Sequence, residues 1–234
     1  MSVEFTKDNL NFYFKELGKV FRKLNGTKMR AEIVLIGGGS VLANYNFRDS
    51  TTDMDAVIRS SSVMKEAILF ISDKYGLPPD WLNTDFKRTE SFSNKLEEIS
   101  MYYRTFSNVL EIRTVTAEYL IAMKLMSGRQ YKNDLSDILG ILLEHEKRGN
   151  PITRNTIENA ISKLYGEKKL PDTSKQFLND IFESEDYEGD YKKFRKSESE
   201  ASRLLKKFDK ENPGELKGEI INDIIEEMRK REQV

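Results

Sequence analysis

The sequence predicts an α+β protein, with a mixed sheet flanked by helices in its first part and helices alone in its last. Three short apolar, β-rich runs, "AEIVLIG", "MDAVIR" and "VLEIRTV", alternate with stretches whose apolar residues recur at helical spacing. Beyond Asn150 the strand signals cease, and charged residues occupy 36 of the 84 positions from Pro151 onward, 17 basic and 19 acidic. That change in texture predicts two domains, residues 1–150 and 151–234.

The elements follow from local chemistry. Leu10, Phe14, Leu17, Phe21 and Leu24 mark the apolar stripe of a first helix, with Thr6 as its N-cap and Gly26 as its stop. "AEIVLIG" reads as a buried strand, "GGSVLANYN" as a glycine turn opening a short helix, and "MDAVIR" as a second strand. "SSVMKEAILFISDKYG" is helical, with serines before it and Gly76 after it. The prolines of "LPPDWLN" make a rigid loop. Between Glu90 and Phe106 only "SMYYRTF" has strand character, and "VLEIRTV" alternates as a strand does. "TAEYLIAMKLMSG", capped by Thr116, and "KNDLSDILGILLEHEKRG", with Leu135, Ile138, Leu139 and Leu142 as its stripe, are helices. In the last part "ITRNTIENAISKLYG" and "ELKGEIINDIIEEMRKREQV" are amphipathic helices, and the segment between them carries an acidic cluster followed by a basic helix.

Composition narrows the chemistry. With no cysteine and a single histidine among 234 residues, thiolate zinc sites, multi-histidine metal sites and Cys-His catalysis are excluded. His145 stands at the polar end of its helix, facing water or capping the last carbonyls. Any catalytic site must be built from carboxylates, hydroxyls, lysines, arginines and backbone. The net charge of −1 supplies no global basic field for nucleic acid. No apolar run approaches the roughly 18–20 residues that span a bilayer. The N-terminus lacks a basic region followed by an apolar stretch. A cytoplasmic protein without a membrane partner is expected.

The densest chemical signal is "IGGGSVLANYNFRDSTTDMDAVI", residues 36–58. Glycines at a strand-to-helix junction let backbone N–H groups approach an anion, and the helix dipole favours it. A Walker loop would need Gly-Lys-Ser/Thr, which is missing after Gly39; a dinucleotide fingerprint would need glycine where Leu42 stands. Strand alternation puts Asp53 and Asp55 on one face about 6.6 Å apart, where they can hold one Mg²⁺ or bridge two ions. An isolated D-x-D is otherwise an ordinary solvated strand edge. Here the glycine turn precedes it, with twelve residues between Ser40 and Asp53.

Glycine–serine followed by D-x-D on the next strand is similar to the nucleotidyltransferase superfamily, which includes DNA polymerase β and the minimal nucleotidyltransferases. Downstream, "AEYLIAMKLMSGRQYKNDLSDI" resembles the second signature of AbiEii/MenA-type toxin nucleotidyltransferases, and the "GLPPDWLN" loop is similar to one branch of their bacterial relatives. The likeness spans roughly residues 30–145. It implies a nucleotidyltransferase-like mixed sheet and transfer of a nucleoside monophosphate from an NTP to an acceptor hydroxyl, with release of pyrophosphate. Gly38, Gly39 and Ser40 would then cradle the β- and γ-phosphates, Asp53 and Asp55 would bind Mg²⁺, and Lys124 and Arg129 would contact the triphosphate. Asp134 would have a catalytic or structural role. A third carboxylate is expected on a later strand, with Glu111 the first candidate and Asp85 the second. The toxin branch further implies a tRNA or other RNA 3′ end as acceptor and an antitoxin partner. A protein or small-molecule acceptor, or a nucleotide-binding module without turnover, are the alternatives.

Blander roles stand beside these. Arg129 and Lys132 close a helix C-terminus, where cations are favourable without a ligand, and Asp134 and Asp137 open the next helix, where acids are favourable. Lys124 lies among Ala122, Met123 and Leu125 in an apolar helix, a setting in which an ammonium requires an anion. Tyr45 and Arg48, between the two halves of the motif, are within reach of a base or phosphate. "YKKFRK" and "RLLKKF" read as a solvated helix face, with contact to a phosphate backbone as the alternative.

Overall fold

The computed structural model describes residues 3–52, 54–129, 131–216 and 220–232. Strand β1 (Phe5–Thr6) leads into helix α1 (Lys7–Asn25). Thr6 closes a capping box there: its hydroxyl accepts from the Asn9 N–H while the Asn9 side chain accepts from the Thr6 N–H, so two helix-start donors are satisfied together. Next come β2 (Ala31–Leu35), α2 (Gly37–Asn44), β3 (Ser50–Thr51), β4 (Ala56–Arg59) and α3 (Val63–Tyr75), the last stopped by Gly76 at φ 66°. β5 (Ser100–Phe106) and β6 (Leu110–Val115) form a hairpin before α4 (Ala117–Ser127), α5 (Asp134–Lys147), α6 (Arg154–Tyr165), α7 (Asp172–Glu183), α8 (Tyr187–Glu211) and α9 (Ile221–Glu232). The expectation of a mixed sheet and an exclusively helical C-terminal part holds. Sequence reading had no signal for the short β1–β3 ladder or for α7.

The main sheet has the order β4-β2-β6-β5, with β2 antiparallel to β4 and parallel to β6. Alternation sends Ala31, Ile33, Leu35, Ala56, Leu110 and Ile112 to one face. There they meet Leu10, Phe14, Leu17 and Phe21 of α1 and Met64, Ala67, Ile68 and Ile71 of α3. Trp81, from the proline loop, closes this core: its ring lies 6.3 Å from Phe14, and its indole N–H donates to the Ile68 carbonyl. The opposite face carries Glu32, Arg59, Glu111 and Arg113.

Two compact units interleave along the chain, 1–123 with 153–168 and 124–152 with 169–234. Composition had suggested a single boundary near residue 150. In the first unit, α6 is tied to the loop before β5 by hydrogen bonds that composition does not reveal: the Ser93 hydroxyl donates to the Leu164 carbonyl, Lys95 Nζ to the Lys163 carbonyl, and the Tyr165 hydroxyl to the Ser91 carbonyl. In the second unit, α8 and α9 pack through Ala201, Leu204, Leu205, Ile224, Ile225 and Met228. Among the described residues no helix is long and apolar enough to cross a membrane.

Phe14 is fully buried between Trp81 and Phe106. Phe14→Ala is expected to destabilise the first unit by about 3–5 kcal/mol in urea unfolding, because the cavity adds to the lost transfer energy.

Candidate functional site

β2 ends at Leu35, and Ile36 is extended, as a helix N-cap requires. Gly37 then takes φ 52°, a left-handed conformation that a Cβ disfavours, and α2 begins. The first N–H groups of α2 have no carbonyl one turn back, so the helix presents donors and a partial positive charge at this point. The bend is packed from both sides. A Cβ on Gly38 would stand 2.6 Å from Thr51 Oγ1 and 2.9 Å from Arg48 Nη2, and one on Gly39 would stand 3.1 Å from the Met54 methyl carbon. Arg48 is oriented by its own loop, donating from Nε to the Ser50 carbonyl and from Nη2 to Thr51 Oγ1. A guanidinium therefore lies against the positive end of a helix, an arrangement that favours an anion between them.

The carboxylate side of the bend is set by the ladder. β2 and β4 pair Leu35 with Ala56, and the next bond runs from the Ile36 N–H to the Asp55 carbonyl at 3.0 Å. Met54 turns into the core, fully buried, while half-buried Asp55 turns to the other face and brings Oδ2 within 3.9 Å of where a Gly37 Cβ would be. Asn83, from the proline loop, pairs with this segment: the Ala56 N–H donates to its carbonyl and its N–H donates to the Met54 carbonyl. Asp55 thus meets the glycine bend, on the same side of the ladder as Ile36. Asp53 lies outside the described residues. Among the described residues no three acidic or histidine side chains group as a metal cage.

Several expected site residues are committed elsewhere. The Ser40 hydroxyl, expected on a phosphate, is fully buried and accepts from the Val115 N–H at 3.0 Å. With Asn44, which donates to the Val115 carbonyl and accepts from the Thr114 hydroxyl, it pins α2 to the end of β6. Sequence reading missed Asn44 and Thr114, because their pairing depends on the parallel crossover. Glu111 is not brought to the glycine bend. It pairs with Glu32, four residues or about 13 Å before the level of Ile36 and Asp55, and its carboxylate accepts from Arg113 Nη1 at 2.7 Å. Asp85, the second candidate, follows two residues after Asn83 in an exposed 3₁₀ turn, with its N–H donating to Asn83 Oδ1. Tyr45 is buried beside Phe47, with ring centroids 5.5 Å apart.

Lys124, Arg129 and Asp134 belong to the second unit, where they come together. Lys124 Nζ lies 2.9 Å from Asp134 Oδ1 and 2.8 Å from Asp137 Oδ2, all three side chains being buried. Arg129 Nε donates to Asp134 Oδ2 at 2.9 Å. The next helix therefore supplies anions of the kind an apolar lysine requires. Burial pushes the Asp134 carboxyl up, but Lys124 and Arg129 outweigh it and hold it at about 2. From α8 the fully buried Glu198 accepts from the Leu135 and Ser136 N–H groups at the start of α5. Burial pushes Glu198 up to about 7, against those N–H bonds and with help from Asp137 and Asp134.

The two shifts have opposite consequences for stability. Asp134 stabilises the fold above its unfolded value and loses that contribution as pH falls towards about 2. Glu198 keeps a proton in the folded protein between about 4.5 and about 7 that the unfolded chain releases, so stability falls as pH rises across that window. Chemical unfolding of Glu198→Gln should show this decline flattened between pH 5 and pH 7 while the acid limb remains. An unchanged slope would remove Glu198 as its source.

The geometry is thus a glycine bend with an arginine on one flank and a carboxylate on the other, joined by a two-strand register. No curated protein and no solved structure matches the chain. A family model does match it, over residues 13–165, from within α1 to the end of α6 and across both the glycine bend and the Lys124 centre. On that match the chain belongs to the family described as "Nucleotidyltransferase of unknown function (DUF6036)".

Proposed function

We propose that the protein transfers a nucleoside monophosphate from an NTP to an acceptor hydroxyl with the help of Mg²⁺. The observation that carries this reading is the meeting of opposite electrostatic features at one bend: Arg48 and the α2 N-terminus at Gly38, and the Asp55 carboxylate at Gly37. The first pair suits phosphate oxygens. The second suits a divalent cation, whose oxygen-seeking chemistry fits a half-buried carboxylate at a strand end. When bound, Mg²⁺ would supply charge neutralisation at the transferring phosphoryl group.

In this reading the α2 N–H groups and Arg48 hold the β- and γ-phosphates, and Asp55, with Asp53, holds the metal. The acceptor oxygen forms a bond to the α-phosphorus as the bond from that phosphorus to the pyrophosphate oxygen breaks. The acceptor's proton passes to a nearby base, for which Asp85 replaces Glu111, since it follows the Asn83 segment that flanks Asp55. Ser40 acts through position, by fixing α2 on β6. The narrower likeness to AbiEii/MenA-type toxins supports an RNA 3′ end as acceptor and an antitoxin as partner. A nucleotide-binding module without turnover is the rival reading, favoured by the missing third carboxylate among the described residues.

The test is incubation with labelled NTPs, Mg²⁺ and total RNA, followed by separation of RNA, protein and free label. Transfer to RNA is expected, with Asp55→Asn lowering the rate by about 10²–10³-fold, Asp85→Asn lowering it in the same direction and Glu111→Gln leaving it unchanged. Nucleotide bound with no label transferred would favour the non-catalytic module, and full activity in Asp55→Asn would refute the metal assignment.

A further inference from the structure

We infer that the outward face of α8 is a docking surface for the sugar-phosphate backbone of a polynucleotide. Each residue of an α-helix turns about 100° from the one before it. Taking Lys192 as the reference, Arg195, Lys196, Ser199, Arg203, Lys206, Lys207 and Lys210 all fall within roughly 60° of one line along the helix. The stripe runs from Lys192 to Lys210, about 27 Å. Apart from Ser199, its non-cationic residues are Glu188 and Gly189, both at its N-terminal end. All its cations are exposed except Arg195, which is half-buried. The opposite face holds the buried Glu198, Ala201, Leu204 and Leu205.

A face that serves solubility alone mixes signs, with i,i+4 pairs between them. Other helices of this chain do so: Arg148 pairs with Glu144, Arg154 with Glu158 and Arg231 with Glu227. On α8 the remaining exposed acids, Asp209 and Glu211, lie off the stripe, as does Glu200. Lys192 pairs with Glu188, and Arg203 and Lys207 share Glu232. Arg195, Lys196, Lys206 and Lys210 have no acidic partner among the described residues. Cations three or four residues apart rise about 4.5–6 Å along the axis, and one step of seven residues across Ser199 rises about 10.5 Å, spacings that suit a repeating line of phosphates. An anionic membrane would need large apolar side chains beside the cations, and none of the chain's exposed large apolar residues is on α8. Because the net charge of the chain is −1, binding must be local to the stripe. The inference goes beyond the nucleotidyl-transfer reading and does not depend on it, since every residue involved is in α8.

The test is fluorescence anisotropy of the full-length protein with a labelled, unstructured RNA 20-mer, without NTP, across 50–200 mM KCl. Four uncompensated cations predict a slope of log affinity against log salt of about −3, a loss of about 50-fold over that range. The triple variant Lys196→Glu/Lys206→Glu/Lys210→Glu should bind at least about 100-fold more weakly and with a slope shallower than about −1. Lys15→Glu/Lys23→Glu/Lys28→Glu, an equal charge change on the first unit, should stay within about threefold of the parent. Circular dichroism melting checks that each variant is folded. Undiminished binding by the α8 variant, salt-independent binding by the parent, no binding at all, or binding only to phosphatidylserine vesicles would each overturn the inference. Asp55→Asn should bind RNA as the parent does, so failure of the transfer reading and failure of this one are separable.

Discussion

The single bond from the Ile36 N–H to the Asp55 carbonyl fixes how the glycine bend and the Asp55 carboxylate meet. It continues the antiparallel register of β2 and β4 by one residue past the end of β2. With that register the carboxylate of Asp55 faces the glycine bend and Met54 fills the core beneath Gly39. A slip of one residue would exchange them, burying a carboxylate in an apolar core and presenting a thioether to the bend. The apolar contacts of Met54, Ala56 and Ile58 resist that slip, so the packing of α1, α3 and Trp81 on the sheet is what holds the polar side of the ladder in place. The polar geometry on one face is maintained by hydrophobic burial on the other.

A second constraint organises the helical unit. Buried Lys124, Asp134 and Asp137 form ion pairs with half-exposed Arg129 at their edge, and Glu198 joins from α8 by closing the start of α5. Buried ions contribute little net stability compared with apolar packing, but they tolerate one arrangement and penalise others strongly. Here the cluster links α4, α5 and α8, elements separated by up to 63 residues in the Leu135–Glu198 bond. The residues after α4 therefore fix the arrangement of these helices.

What could be read in the sequence depended on the range of the interaction. The Thr6 cap, the glycine bend, the αL stop at Gly76 and the alternation of β6 are properties of a few adjacent residues, and each was legible. Lys124 shows the next level: its apolar neighbours correctly implied an anionic partner, yet the identity of that partner lay ten residues on, across a turn. Glu111 shows the limit. Its strand and its face were readable, but its level on the sheet is set by the parallel pairing with Glu32, which no local pattern encodes. The bond between Ser40 and Val115 is hidden for the same reason, because β6 reaches Ser40 only through the crossover. The two-residue strands β1 and β3 are too short to carry a period, and α6 joins the first unit through hydroxyl and ammonium bonds to backbone carbonyls rather than through its composition.

The central claim is that the carboxylate of Asp55 and the glycine bend act on one metal-bound nucleotide. Calorimetric titration of a non-hydrolysable NTP analogue, with Mg²⁺ and with EDTA, tests it most directly. Tighter binding with Mg²⁺ is expected in the parent protein, with loss of that difference in Asp55→Asn. An equal Mg²⁺ dependence in both proteins would contradict it.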